Sequence, residues 1–436
     1  MKPIFITNYL HSMAISFRKL SCIFLILLSL LLSFAWRKTP DLSCPYPTSV
    51  SNQIQSQSQE EIPRFLIFQK RKWGFINEAG KVIIQPEFSY IRSFYENRAA
   101  FKKGNKWGFI DPNGKVVIAP QFDHVGNFID GRSVFKKGNK WGLTDPNGRF
   151  IFEPKLDGIG SIFEGRLAFM RDGKWGLMDV NGKIVIEPYF ERIGKFSEGL
   201  AAFAIQKDKR SKKIGFIDRN GQVVIELPDD VNLSFDGDIA SITFKNGRVA
   251  VYAIDPGLSF IKQVLTGQWE DLWGYIDRSG RQVIPLKYNA AYKFSECLAQ
   301  VKIGNETGFI NLSGQMVIEP KVYESVSSFH EGRAAVRIKE KWGYIDASGK
   351  MVIKPLFDAA NRFVNGLATV DINGKWGQID RTGKIVIQPQ FDSPLNFDRG
   401  LANVSVGNKW GYINRQGKFV WFSYLAKGEK INWRGE

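Results

Sequence analysis

The sequence predicts an all-β fold built from tandem units of about 34 residues. The stretch "KKGNKWGFIDPNGKVV" begins at Lys102, and "KKGNKWGLTDPNGRFI" begins 34 residues later at Lys136. A fixed period of this length is the signature of repeat architectures. Short runs of alternating or β-branched residues fill the unit, and no part of it has helical spacing over ten or more residues. These observations favour strands throughout.

A Trp-Gly dipeptide marks the repeat. Two further copies, Ile214-Gly215 and Thr307-Gly308, have lost the tryptophan, and a more divergent stretch carries Val249-Ala250 at the same place. The sequence therefore predicts about ten clear units and one degenerate unit, irregular over residues 206–273. The signature residues are Trp73, Gly74, Trp107, Gly108, Trp141, Gly142, Trp175, Gly176, Trp273, Gly274, Trp342, Gly343, Trp376, Gly377, Trp410 and Gly411.

Each unit is typical of a β-hairpin followed by a third strand. "WGFID" and "GKVVI" are separated by an Asp/Asn-x-x-Gly turn, in which the first side chain can hydrogen-bond the backbone and the glycine can adopt positive φ. A proline then ends the second run, because it has no N–H to donate. Segments such as "FSEGLAAF", from Phe196, form the third strand. The stretch before each of these segments leaves room for a short fourth strand.

One tryptophan and two phenylalanines recur in most units. Aromatics at a fixed period are what a repeat needs to bury its face on the next unit, so we expect a packed core. A stacking platform for sugars or bases is the alternative.

The full unit, "K-W-G-[FY]-I-D-x-x-G-K-x-V-I-x-P-x-F-D", resembles the WG repeat family, also called KWG repeats. The resemblance extends over most of the chain. It implies a bacterial all-β repeat protein of propeller-like form, often exported or attached to other modules, with no shared activity or catalytic residue. We therefore predict a propeller-like ring of three- to four-stranded units. An open β-solenoid or superhelix is the alternative, because a typical propeller blade has ~40–45 residues.

The N-terminal segment predicts export. Arg18 and Lys19 precede the apolar run "LSCIFLILLSLLLSFAW", which fits a secretory signal and is also long enough for a membrane span. We predict a signal peptide or membrane-anchoring helix in residues 1–38 and a flexible polar linker in residues 39–62. The repeat domain is predicted in residues 63–425 and a tail in residues 426–436. Either reading of the first segment places the repeats outside the cytoplasmic membrane.

The charge and the cysteines narrow the function only slightly. The net charge is +17 and is spread over the repeats, which favours a solvated surface over a nucleic-acid or anionic-lipid site. Cys22, Cys44 and Cys297 have no metal-ligand spacing and are too few for a disulfide framework. The sequence permits a single disulfide bond between Cys44 and Cys297 but does not support it.

No catalytic constellation stands out in the sequence. His124 and His330 lack the convergent partners that a zinc site or a nucleophile–base pair needs. "GFIDPNGK", from Gly108, has the wrong spacing for a phosphate loop, and the repeated aspartates occupy one turn position. The sequence thus predicts a protein that is not an enzyme, with no catalytic residue, no cofactor and no metal site.

The leading hypothesis is a non-catalytic scaffold that binds a protein or a cell-envelope polymer and contacts the membrane through its N-terminal segment. The alternatives are an envelope glycan hydrolase that uses loop carboxylates and a basic nucleic-acid-binding protein, against which the export segment argues.

Residues 206–273 depart most from the unit. Drift in a tolerant surface loop is one interpretation of this departure, and a partner-binding patch with Trp269 as the aromatic anchor is the other. Its basic residues are Lys207, Lys209, Arg210, Lys212 and Lys213.

Overall fold

A computed structural model describes residues 63–207, 212–233, 239, 242–254 and 271–426. The predicted N-terminal helix, the linker and all of the predicted tail after residue 426 lie outside these residues. Within the described part of the chain, no helix has the length and apolar character needed to cross a membrane.

The described strands form ten antiparallel sheets, one after another along the chain, which are the ten blades of a β-propeller. Blades 1 to 5 contain β1 (Phe65–Gln69), β2 (Lys72–Ile76), β3 (Val82–Phe88); β4 (Tyr90–Ile91), β5 (Ala99–Lys103), β6 (Lys106–Ile110), β7 (Val116–Phe122); β8 (His124–Val125), β9 (Ser133–Lys137), β10 (Lys140–Thr144), β11 (Phe150–Leu156); β12 (Gly158–Ile159), β13 (Arg166–Arg171), β14 (Lys174–Asp179), β15 (Ile184–Phe190); β16 (Arg192–Ile193), β17 (Leu200–Gln206), β18 (Lys212–Asp218) and β19 (Val223–Glu226). Blades 6 to 10 contain β20 (Val231–Asn232), β21 (Arg248–Ile254), β22 (Asp271–Asp277), β23 (Gln282–Tyr288); β24 (Ala290–Ala291), β25 (Leu298–Ile303), β26 (Glu306–Asn311), β27 (Met316–Lys321); β28 (Ser325–Val326), β29 (Arg333–Ile338), β30 (Lys341–Asp346), β31 (Met351–Phe357); β32 (Ala359–Ala360), β33 (Leu367–Ile372), β34 (Lys375–Asp380), β35 (Ile385–Phe391); β36 (Phe397–Asp398), β37 (Leu401–Val406), β38 (Lys409–Ile413) and β39 (Phe419–Tyr424).

A standard blade has one two-residue strand and three longer strands, paired in chain order. In blade 2 the order is β4-β5-β6-β7, with Phe101 opposite Gly108 and Trp107 opposite Phe122. The predicted hairpin, third strand and short fourth strand are therefore all present. The sequence unit that runs from one Trp-Gly to the next spans two blades, because it ends in the first strands of the following sheet.

The Asp/Asn-x-x-Gly turn closes the hairpin as its chemistry predicts. In blade 2 the Asp111 Oδ1 accepts hydrogen bonds from the N–H groups of Asn113 and Lys115, both at 2.9 Å, and Gly114 has a φ of 85°. The same pair of bonds recurs at Asn77, Asp145, Asp179, Asp218, Asp277, Asn311, Asp346, Asp380 and Asn414.

The glycine after each tryptophan permits a close approach of two strands. A Cβ atom on Gly108 would lie 2.4 Å from the carbonyl oxygen of Ile118, well inside van der Waals contact. The register of β6 and β7 shifts at this point, between Trp107 and Phe109. No other residue type fits here without moving the backbone.

The core lies between neighbouring blades. Phe109 of blade 2 meets Phe128 of blade 3 edge to face with ring centroids 4.9 Å apart, and Phe309 meets Phe329 at the same distance. Trp107 is only 5% exposed. The predicted core role of the periodic aromatics is thus what the structure shows, although Trp141, Trp175, Trp342 and Trp376 remain half-buried.

Blade 6 contains the stretch that the sequence analysis counted as a separate degenerate unit. Val249 and Ala250 lie on β21, which pairs with β22 so that Val251 faces Gly274. They therefore form the strand that precedes a Trp-Gly strand and do not start a separate unit. The long step in the repeat arises because the chain is longer both between β19 and β21 and between β21 and β22, where residues 255–270 lie outside the described residues.

The last blade packs on the first. The Tyr412 hydroxyl donates a hydrogen bond of 2.8 Å to the Leu66 carbonyl oxygen, and its ring centroid lies 5.4 Å from that of Phe65. Ile67 and Ile76 of blade 1 share a buried cluster with Trp410 of blade 10. These contacts close the ring and replace the alternative of an open solenoid. Among the described strands, the closure uses side chains and no strand is exchanged between the two blades.

Tyr412→Phe tests the closure, because it removes only the hydroxyl that reaches blade 1. Tyr344→Phe is the matched control, since the Tyr344 hydroxyl donates to the Asn361 carbonyl oxygen at 2.7 Å in the middle of the ring. Each variant should lower the free energy of unfolding by about 1 kcal/mol in denaturant titrations. A cost for Tyr344→Phe with none for Tyr412→Phe would mean that blades 10 and 1 are separate in solution.

Candidate functional site

A chain of glutamates links the blades through turn backbones. Glu296 of blade 7 accepts hydrogen bonds from the N–H groups of Glu331 and Gly332 in blade 8, the second at 2.8 Å. Glu331 in turn accepts from Asn365 and Gly366 of blade 9. Equivalent contacts are made by Glu96, Glu164 and Glu198. The Glu-Gly turn of the repeat is therefore an inter-blade clamp.

The charge of this clamp is favoured in the folded protein. Partial burial opposes ionisation of Glu331, but hydrogen bonds from Arg381, at 2.7 Å, and from the two N–H groups of blade 9 outweigh it and lower the pKa of Glu331. The carboxylate form is therefore the one that holds blade 9 in place.

Repeated arginines make a second link. The Arg98 Nε donates to the Pro146 carbonyl oxygen of the next blade at 2.9 Å, and the Arg132 Nε donates to the Val180 carbonyl oxygen at the same distance. Arg64 and Arg166 make equivalent contacts.

The lysine of the K-W-G motif makes a third link. The Lys341 Nζ lies 2.5 Å from the Asp358 Oδ1, while the Asp358 Oδ2 accepts from the Asn373 N–H of the next blade. The hydrogen bond from Lys341, followed by that from Asn373, lowers the pKa of Asp358. The same ion pair joins Lys106 to Asp123, Lys140 to Asp157 and Lys375 to Asp392. The charged residues of the signature are thus engaged in holding blades together.

The structure places only part of the predicted basic patch. The Lys207 Nζ lies 2.8 Å from an Asp229 oxygen, and the Lys213 Nζ lies 2.6 Å from a Glu226 oxygen. Lys212 is exposed at the start of β18. Lys209, Arg210 and Trp269 lie outside the described residues. Two of the five cations therefore have acidic partners, and the patch stays a prediction.

The two histidines of the described residues make no catalytic constellation, and His124 is exposed at the start of β8. His124 meets the Trp141 ring edge to face at 5.4 Å, and partial burial, followed by the charge of Arg92, lowers its pKa. Burial also lowers the pKa of His330. Among the described residues, no group of three or more histidine, cysteine or carboxylate side chains is placed to hold a metal ion.

A cavity of about 360 Å³ lies between blades 6 and 7. Its blade 6 wall includes Val249, Ala250 and Trp273, and its blade 7 wall includes Ala291 and Lys293. Sequence reasoning pointed to the neighbouring loops and missed these side chains.

One wall of the cavity includes a residue that is smaller than its counterpart in several other blades. Ala291 is the second residue of the two-residue strand of blade 7. The same position is occupied by Ile91, Val125, Ile159, Ile193 and Val326 in other blades. Blade 9 also has an alanine at this position, Ala360, so the small residue does not by itself identify the site from the sequence.

One lysine, Lys293, lines the cavity. The Lys293 Nζ donates to the Thr243 Oγ1 at 3.1 Å. Burial, followed by the nearby charges of Lys245 and Lys195, lowers the pKa of Lys293. Lysines of blades 5 and 6 therefore lie close enough to Lys293 of blade 7 to disfavour its protonated form.

The sheets and their links define a ten-bladed β-propeller repeat protein. The chain belongs to the WG-containing repeat family, whose matches together cover more than half of it. The matches span residues 73–107, 107–141, 141–175, 175–209, 273–306, 308–342, 342–376 and 376–410. This membership confirms the resemblance seen in the sequence. No curated protein matches the chain in sequence.

Several solved structures match the chain at low identity and low structural similarity. A eukaryotic initiation factor is 11% identical, with 83% of this chain and 95% of that chain covered and a TM-score of 0.47. Apo AztD from Citrobacter koseri is 12% identical, with 73% and 91% covered and a TM-score of 0.33. The extracellular domain of a hybrid two-component system from B. thetaiotaomicron is 10% identical, with 84% and 59% covered and a TM-score of 0.21.

Glu331→Gln tests the glutamate clamp. It removes the charge that Arg381 and the blade 9 turn stabilise, so the free energy of unfolding should fall by about 1 kcal/mol near pH 7, allowing for partial exposure. The pKa of Glu331 is lowered on folding, so its contribution is present above the unfolded pKa and is lost as pH falls through the folded pKa.

The difference between wild type and Glu331→Gln in urea titrations should therefore shrink at acid pH. Glu87→Gln is the control, because Glu87 is exposed on β3, and it should change stability by less than ~0.5 kcal/mol. A difference that stays constant down to pH ~3 would contradict the role of the charge.

Proposed function

We propose that the protein is a non-catalytic scaffold that binds a protein or a cell-envelope polymer on the outer side of the cytoplasmic membrane. The observation that carries the proposal is that the charged side chains of the repeat signature form contacts between blades. The repeated glutamates, arginines, lysines and aspartates hold blades together, so recognition falls to the residues that differ between blades. In the described part of the chain these differences concentrate in blades 6 and 7.

The hydrogen bonds of the repeated carboxylates support the proposed absence of catalysis. Each turn aspartate uses an oxygen to accept two backbone N–H groups, as Asp179 does from Asn181 and Lys183. Side chains held in this way serve the turn. The alternative of a glycan hydrolase requires a carboxylate pair elsewhere, and the insertions within residues 206–273 are where we would look for it.

The proposed location rests on the apolar N-terminal segment and on Cys297. Cys297 is disulfide-bonded, and the other two cysteines of the chain, Cys22 and Cys44, lie outside the described residues. Disulfides persist in oxidising compartments such as the periplasm and the cell exterior. They are rare in the cytoplasm, which argues against the alternative of an intracellular nucleic-acid binder.

The position of Cys297 supports a specific role for the cysteine. It stands where Gly199, Gly332 and Gly366 stand in other blades, and its φ is 61°. A cysteine pays a conformational cost in this region that glycine does not. The disulfide is a reason for a cysteine to occupy this turn.

Capture of partners with the full-length protein tests the scaffold. The detergent-solubilised chain, immobilised and exposed to envelope extract, should retain a protein or a wall polymer without releasing glycan fragments. A variant with Lys207, Lys209, Arg210, Lys212 and Lys213 changed to serine should fold as wild type and retain less of the partner at low salt. Glycan release by the wild type would favour the hydrolase, and unchanged retention would remove the basic patch from the proposal.

Labelling of thiols tests the location. In a bacterial host the protein should fractionate with the membrane or the periplasm. A maleimide polymer should label two fewer cysteines before reduction than after it, because one disulfide is present. Cys297→Ser should abolish that difference. Cys22→Ser and Cys44→Ser then identify the partner, because only the variant that lacks it also abolishes the difference. Full labelling of the wild type without reduction would contradict export to an oxidising compartment.

A further inference from the structure

We propose that the cavity between blades 6 and 7 binds a small molecule with an apolar body and a single anionic head group. This inference concerns a small ligand and does not depend on the scaffold function proposed above.

The interior of the cavity suits an apolar body. Its volume of about 360 Å³ falls within the ~300–1,000 Å³ typical of ligand pockets. Trp273 is 8% exposed and packs on Tyr252 with ring centroids 4.8 Å apart, so the indole forms a fixed wall. Val249, Ala250 and Ala291 contribute aliphatic surface to the rest of the lining. A flat or aliphatic group would be buried here against rigid side chains.

The polar groups of the cavity suit an anion. Arg248 and Lys293 line it, and no aspartate or glutamate is among its described lining residues. The Glu198 carboxylate accepts from the Gly247 N–H and the Glu296 carboxylate accepts from blade 8, and neither residue is among the described lining residues.

Arg248 is positioned by backbone contacts. Its Nη1 donates to the Gly247 carbonyl oxygen at 3.1 Å, and its Nη2 lies 3.5 Å from the Leu312 carbonyl oxygen. Both acceptors are neutral, so these contacts leave the positive charge of the guanidinium in place.

The charge and the shape together favour a single carboxylate or sulfonate over a polyanion. Only Arg248 and Lys293 are cationic within the lining, and the rest of the wall in the described residues is mainly aliphatic and aromatic. A polyphosphate would require several further donors in the same space. An aromatic or aliphatic acid matches both parts of the cavity.

Ala291→Ile tests the body of the ligand. It places in blade 7 the side chain that Ile91 and Ile193 carry in other blades, and so fills the cavity. The matched control is Ala360→Ile, which makes the same change at the same strand position in blade 9. The probe is 8-anilinonaphthalene-1-sulfonate, whose fluorescence rises in an apolar site, titrated into the folded full-length protein in a non-fluorescent detergent.

Ala291→Ile should weaken probe binding at least ~10-fold, whereas Ala360→Ile should leave the Kd unchanged. Melting curves for the two variants show whether both remain folded. Wild-type affinity in folded Ala291→Ile, or an equal loss in both variants, would overturn the assignment of the site.

Lys293→Ser tests the head group, because Ser328 occupies the same place before the core phenylalanine of blade 8. At low salt it should weaken binding of the sulfonate probe about fivefold. Binding of the neutral analogue N-phenyl-1-naphthylamine should not change, and Ala291→Ile should weaken it as it weakens the sulfonate. Equal effects of Lys293→Ser on the two probes, or no effect on either, would overturn the anionic head group.

Discussion

The structure depends on burial of each blade against the next. The clusters of buried side chains each draw on two sheets, as Phe109 and Phe128 do from blades 2 and 3. A single sheet of four short strands exposes one of its apolar faces, so the blade is stable only with a neighbour on each side. The first and last blades meet this requirement only by packing on each other. Tyr412 and Phe65 make this final contact with the same kind of side chains that serve inside the ring.

The polar links add direction to this packing. Glu331 accepts from the turn of the following blade, and its own turn donates to Glu296 of the preceding blade. The contact is therefore head to tail, and each blade presents the acceptor to one neighbour and the donors to the other. Such charge-assisted bonds add orientation that aromatic packing alone does not provide. Each glutamate turn thereby helps to set the position of the next blade.

Much of the blade could be predicted from the sequence, because its determinants are local. The turn around Asp111, the strand after Trp107 and the short fourth strand follow from chemistry within one unit. The closed ring and the place of Val249 in blade 6 depend on contacts between distant residues. The cavity beside Ala291 was missed for the same reason, since its walls come from two blades. The positive charges of Lys207 and Lys213 were evident from the sequence. Their ion pairs were not, because the acidic partners are distant along the chain.

Blade 7 shows how the ring tolerates individual change. It carries Ala291 where five other blades have isoleucine or valine, Cys297 where most others have glycine, and Thr307 in place of the signature tryptophan. The contacts that join it to blade 6 are nevertheless intact: Tyr275 meets Phe294 at 4.9 Å, and the Tyr275 hydroxyl donates to the Tyr292 carbonyl oxygen at 2.6 Å. Because these contacts and the glutamate clamp hold the blade, the positions between them are free to vary. Departures at such positions change the surface and the cavities of the ring without changing its architecture.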